Sequence, residues 1–127
     1  MNQIEPGENE KKSREFANKL IKLAQFAEKS LNKKLSIFAF FRTPEEQKKY
    51  FDAGLSKADG YEKKSMHQLG RAVDIVILDN SGMPVWEENE DYHRLGQYWE
   101  ERLGGRWGGT WYKQKKTSFN DIYHFEY

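Results

Sequence analysis

Apolar residues recur at spacings of three and four between Ser13 and Leu31, at Phe16, Leu20, Leu23, Ala24, Ala27 and Leu31. That stripe predicts an amphipathic helix over 13–31. It ends near Asn32, where Lys33 and Lys34 suit the negative pole of the helix. Leu35–Phe41 (LSIFAFF) is short, apolar and aromatic, and predicts a buried strand. Thr43-Pro44-Glu45-Glu46 then signals a second helix: Thr43 caps, Pro44 takes the first helical position and Glu46 completes a capping box. This helix runs to Ala53 and stops at Gly54. After a polar loop over 56–64, Ala72–Leu78 (AVDIVIL) predicts another buried strand, and Asp79–Gly82 a turn into Met83–Trp86. A third helix is predicted over Asn89–Leu103, closed by Gly104-Gly105. The stretch RWGGTWY mixes glycine with aromatics, and Tyr123–Tyr127 predicts a last strand. Early helices and short strands joined by tight turns indicate an α+β domain, with a small, mainly antiparallel sheet flanked by helices.

Composition narrows this picture. With 127 residues the expectation is one domain over 11–127, behind a flexible start at 1–10. There is no cysteine, so a metal here would be held by histidine and carboxylate. Charged residues make up 32% of the chain and nearly cancel, to a net +1, which gives no reason to expect nucleic acid or an anionic membrane as partner. The polar N-terminus lacks the apolar core of a signal peptide, and no run approaches the roughly 18 apolar residues of a membrane span. The expectation is therefore a soluble, monomeric protein made in the cytoplasm.

Three segments carry candidate chemistry. Asp74 interrupts an apolar strand, where an ionised carboxylate is costly unless paired or bound to metal. A salt bridge to Arg71 or Arg42 would satisfy it equally well. His67 lies seven residues earlier with Gly70 permitting a turn between them, although a lone histidine near a loop is more often a surface or capping residue. His124 stands in the last strand on the face opposite Tyr123 and Phe125, with Asp121 three residues before it. It too has a plain reading, as a core histidine bonded to a backbone carbonyl. Two imidazoles, a carboxylate and an open position for water form a standard catalytic zinc arrangement, and a spare carboxylate beside it supplies a base.

Ser65-x-His67-x-x-Gly70-x-Ala72-x-Asp74 resembles the S-x-H-x-x-G-x-A-x-D signature of the zinc D-Ala-D-Ala peptidase family. Downstream, Trp107-Gly108-Gly109-x-Trp111, Phe119, Asp121 and His124-Phe125-Glu126 resemble the W-G-G-D-W…F-x-D-x-x-H-F-E ending of its endolysin-like branch. Upstream, Phe41-Arg42-Thr43 with Glu46-Gln47 resembles the family's F/Y-R-S/T-x-x-E-Q segment. The resemblance implies a hedgehog-like peptidase fold and one zinc per chain held by His67, Asp74 and His124. It further implies Asp121 as general base, Arg42 as stabiliser of the oxyanion or holder of a substrate carboxylate, and Ser65 in the substrate groove. Trp111 is near enough in sequence to be a groove residue as well. Lys63, Thr110 and Tyr123 depart from the family's usual Gly, Asp and Pro, which leaves loop shape and substrate preference open. The implied function is hydrolysis of L-Ala-D-Glu in peptidoglycan stem peptides by a phage or prophage endolysin that reaches the wall after release. The alternatives are a D-Ala-D-Ala carboxypeptidase or dipeptidase, and a non-catalytic zinc or wall-binding module. Away from this site, His93 is expected to be a solvated helix residue, and Lys113, Lys115 and Lys116 a solvated charge run.

Overall fold

The computed structural model describes residues 7–127. Helix α1 (Glu8–Phe26) continues as a widened, π-helical turn over Ala27–Leu31, and Asn32 closes it in the left-handed conformation, at φ 53°. It begins at Glu8, earlier than the apolar stripe predicts; of the start expected to be flexible, residues 1–6 lie outside the described range. The early turns carry Asn9 and Ser13, whose side chains donate to the carbonyls of Leu69 (3.1 Å) and Gly70 (2.9 Å). The predicted stripe faces the core at Phe16, Leu23, Ala27 and Leu31, while Ala24 is exposed.

Strands β1 (Lys34–Ala39), β2 (Ala72–Leu78), β3 (Pro84–Val85), β4 (Arg106–Trp107) and β5 (His124–Glu126) form one antiparallel sheet in the order β1-β2-β5-β4. β3 shares the β5 edge of β2, pairing with Ile77 and Leu78. β2 is buried along almost its whole length, as its unbroken apolar run predicts. β1 is not the buried strand its composition predicts. It lies at the sheet edge, with an irregular register between Ile37 and Ala39. Ile37 and Phe38 on it, and Phe40 and Phe41 just beyond its end, are 53%, 49%, 47% and 61% exposed. An apolar run reports that a segment can be buried, but not how many neighbours it will have.

Helix α2 (Pro44–Asp52) carries both bonds of the predicted capping box between Thr43 and Glu46. Helix α3 (Glu90–Glu101), capped by Asn89, lays Tyr92, Leu95 and Trp99 on Val73, Ile75 and Ile77 of β2 and on Phe16 and Leu23 of α1. Gly96 belongs to this face because the Trp107 ring occupies the space a Cβ would fill, 2.2 Å away. After β4 the chain makes a short helix, α4 (Gly108–Lys113), which the glycine-aromatic pattern does not predict. Among the described residues no helix is long and apolar enough to cross a membrane.

Candidate metal centre

Strand alternation puts Val73, Ile75 and Ile77 on the helix-covered face of β2 and Asp74 on the other. His124 pairs with Asp74 across β2 and β5, and Phe125 fills the core beside it. His67 comes from the turn between Ser65 and Gly70. Ser65 and Gln68 close that turn reciprocally: the Ser65 N–H donates to Gln68 Oε1 at 2.9 Å, and the Gln68 N–H donates to Ser65 Oγ at 3.4 Å. Gly70 reverses the chain at φ +69°, a conformation glycine adopts without strain.

His67, Asp74 and His124 are all buried, and each offers a ligand atom within 4.8 Å of the others. Asp74 Oδ1 lies 3.6 Å from His67 Nε2 and 3.5 Å from His124 Nδ1. Each imidazole is oriented by its other nitrogen. His67 Nδ1 is 2.7 Å from the Phe40 carbonyl, which can only accept, so that nitrogen carries a proton and Nε2 is the atom turned toward Asp74. His67 Nε2 is buried with no hydrogen-bond partner, a state that costs free energy unless something positive occupies the site. His124 Nε2 is 2.8 Å from Glu126 Oε1, which turns Nδ1 toward Asp74 and Asp121. Two directed imidazole nitrogens and a carboxylate oxygen fit a zinc-like dication.

The local charge points the same way. Burial alone would raise the Asp74 carboxyl, but the contacts and charges of His124 and His67 outweigh it and hold the group well below the usual carboxylate range. Burial alone would lower His124, yet Asp74, Glu126 and the charge of Asp121 raise it to about 9.

Asp121 reaches the same pocket through a tight turn, in which the His124 N–H donates to the Asp121 carbonyl at 3.2 Å. Its Oδ2 is 4.0 Å from His124 Nδ1. Burial, with the neighbouring Asp74 charge adding to it, pushes its carboxyl up. Arg42 donates from Nη2 to Asp74 Oδ2 at 3.4 Å and from Nη1 to Gln47 Oε1 at 3.3 Å, with its guanidinium over the Tyr50 ring. The salt bridge weighed for Asp74 thus forms with Arg42, on the oxygen that faces away from the histidines. Arg71 instead donates to the Tyr127 carbonyl at 2.7 Å. The Trp111 ring lies 5.3 Å from that of His124 and is partly exposed at the site's edge.

Three features were not read from the sequence as parts of this site. The Phe40 carbonyl offers no sequence signal, being backbone. Gln47 is fully buried and ties Arg42 to Ser56 Oγ and the Ala58 carbonyl. Arg106 reaches Glu126 Oε2 at 2.9 Å. His93 is not simply solvated: it lies between Glu88 (3.5 Å), Lys113 Nζ (3.0 Å) and the edge of the Trp107 ring.

The sequence profile of a family described as D-alanyl-D-alanine carboxypeptidase matches residues 59–127. Among solved structures, the L-Ala D-Glu endopeptidase ChiX of Serratia marcescens is 24% identical over 93% of this chain and 84% of its own, with a TM-score of 0.60. The vancomycin-resistance D,D-pentapeptidase VanY from a VanB-type cassette, in complex with Zn(II), is 22% identical over 88% of this chain and 70% of its own, at 0.62. VanYB in complex with D-alanine-D-alanine is 23% identical over 88% and 68%, at 0.57. These likenesses establish a shared fold. No curated protein matches the chain.

Proposed function

Since this chain belongs to the D-alanyl-D-alanine carboxypeptidase family of zinc peptidases, we propose that it cuts the L-Ala-D-Glu bond of peptidoglycan stem peptides, as an endolysin does. That it is a zinc metallopeptidase of peptidoglycan follows from the family; the bond, the ligand set and the base are the proposal. One zinc per chain would be held by His67 Nε2, Asp74 Oδ1 and His124 Nδ1. The observation that carries this is the convergence of those three buried atoms, with the unpartnered His67 Nε2 among them. A zinc held by these residues would supply a Lewis acid for the scissile carbonyl and would lower the pKa of a water to about 7.

The chain's own residues do the rest. Asp121, next to the site and with its carboxyl raised by burial, accepts the proton of the attacking water and returns it to the leaving amine. Arg42 holds Asp74 through one nitrogen, and its free N–H groups can steady the carbonyl oxygen or hold a substrate carboxylate. Ser65 keeps the His67 turn closed at the groove, and Trp111 forms its partly exposed edge.

The choice of bond rests on the ending Trp107-Gly108-Gly109…His124-Phe125-Glu126, which resembles the endolysin-like branch. The family description keeps D-Ala-D-Ala carboxypeptidase as the second reading. A carboxylate retained at Asp121 speaks against a non-catalytic module. Digestion of purified peptidoglycan with zinc present, followed by mass spectrometry of the new termini, separates the three. C-terminal L-Ala with N-terminal D-Glu supports the proposal, and free D-Ala supports the second reading. Intact peptides would leave only binding.

A further inference from the structure

We infer that Glu126, braced by Arg106, is a positioning residue that fixes the orientation and tautomer of His124 for metal binding. The inference rests on the metal-site reading above and adds to it a buried acid that is neither ligand nor base. Glu126 is two residues beyond His124 on β5, so both side chains project from the same face of the strand. Its Oε1 lies 2.8 Å from His124 Nε2, and its Oε2 accepts from Arg106 Nε at 2.9 Å. Glu126 is itself buried, and both oxygens are engaged on the ring edge opposite the Nδ1 that faces Asp74 and Asp121. A carboxylate so placed cannot take a proton from a water on the Nδ1 side. What it can do is accept the Nε2 proton, leaving Nδ1 as the lone-pair nitrogen and raising its basicity toward a cation.

The brace is built into the sheet. Arg106 and Glu126 are directly paired across β4 and β5. The indole N–H of buried Trp99 donates to both of their carbonyls, at 3.2 Å to Arg106 and 3.0 Å to Glu126. The strand pair is thereby fixed to α3 from the core side, while the ion pair fixes the carboxylate on the site side. His67 carries the corresponding proton on Nδ1, held by the Phe40 carbonyl. It serves as an internal control, since nothing done to Glu126 touches that bond.

The test uses the zinc-loaded full chain and its variants Glu126→Ala, Glu126→Gln and Arg106→Ala. Zinc affinity is measured by chelator competition, ring-proton placement by 15N NMR of the imidazoles, and folding by thermal melting of the metal-free chains. Glu126→Ala is expected to weaken zinc binding roughly 10- to 100-fold and to lose the slowly exchanging His124 Nε2 proton signal, while the His67 Nδ1 signal stays. Glu126→Gln keeps an acceptor of the same shape, so it should retain the His124 signal and recover most of the affinity. Arg106→Ala should keep the signal with a smaller loss of affinity. Wild-type affinity with an unchanged His124 signal in Glu126→Ala overturns the positioning role alone. Equal losses in Glu126→Gln and Glu126→Ala, tracking a lower melting temperature, reduce Glu126 to a fold residue and overturn it too. A wild-type chain that binds no zinc overturns the metal-site reading and this inference with it.

Discussion

Asp74 and His124 face each other directly across β2 and β5, in a pair whose flanking backbone bond runs from the Ile75 N–H to the Tyr123 carbonyl at 2.8 Å. That bond pattern marks a non-hydrogen-bonded pair, the kind in which facing side chains come closest. Two of the three proposed ligands are therefore set by sheet register. A one-residue slip would send Asp74 into the apolar core. Only His67 depends on a turn, and that turn is held by Asn9 and Ser13 of α1.

Replacing His67, Asp74 or His124 by Ala should abolish zinc binding and hydrolysis together. Asp74→Asn tests the charge separately: it keeps the shape and should weaken zinc binding without removing the fold. Elemental analysis and turnover on purified peptidoglycan, made on the same preparations, check this. Full zinc occupancy in all three alanine variants would sink the ligand assignment.

Asp121→Asn should keep zinc near one per chain and lower turnover by roughly two to four orders of magnitude, because an amide cannot accept the water's proton. Substrate affinity should change little. Loss of zinc would instead make Asp121 a ligand, and near-normal turnover would move the base elsewhere.

Zinc uptake should depend on pH with a defined sign. His124 in the metal-free chain is raised to about 9 from its ordinary 6.5, and zinc requires the neutral ring. Below about pH 9 each zinc bound should release a proton, with affinity rising roughly tenfold per pH unit and then levelling. A folded value above the unfolded one stabilises the metal-free chain fully below 6.5, and that contribution is lost as pH rises through about 9. Calorimetry in buffers of different ionisation enthalpy counts the protons, and melting curves of both forms follow the stability. No proton release at pH 7.5 would show that His124 is already neutral.

Gly108→Ala should impair catalysis more than metal binding. A Cβ at Gly108 would lie 2.2 Å from the Asp121 carbonyl oxygen, a backbone atom that moves only by displacing Asp121 itself. A shift of about 1 Å in a reacting group costs on the order of a hundredfold in rate. Zinc content near wild type with turnover down by that order is the expected result. Unchanged turnover would mean that Asp121 tolerates the shift or takes no part.

Most of the elements were legible in the sequence, because they follow from neighbours along the chain, although α4 was not. The unbroken apolar run of β2, the Thr43 capping box and the amphipathic pattern of α3 are local physics. An acid at position 74 inside an apolar strand is an anomaly visible without coordinates. The resemblance added His67, His124 and Asp121 as one constellation, and the fold brings them to one pocket. Other features were decided only by tertiary structure. Whether LSIFAFF lies at an edge or in the middle of the sheet depends on what pairs with it, so its aromatics proved exposed where composition predicts burial. The polarity of the first turns of α1 reads as fraying until their bonds to Leu69 and Gly70, 60 and 57 residues away, are seen. Glu126 could be placed on the face of His124 by strand period, but not behind its ring, since that orientation requires Arg106 on a strand 20 residues earlier. Periodicity records which way a side chain points from its own element. Which nitrogen of His124 is left free is fixed by partners that only the folded sheet brings within reach.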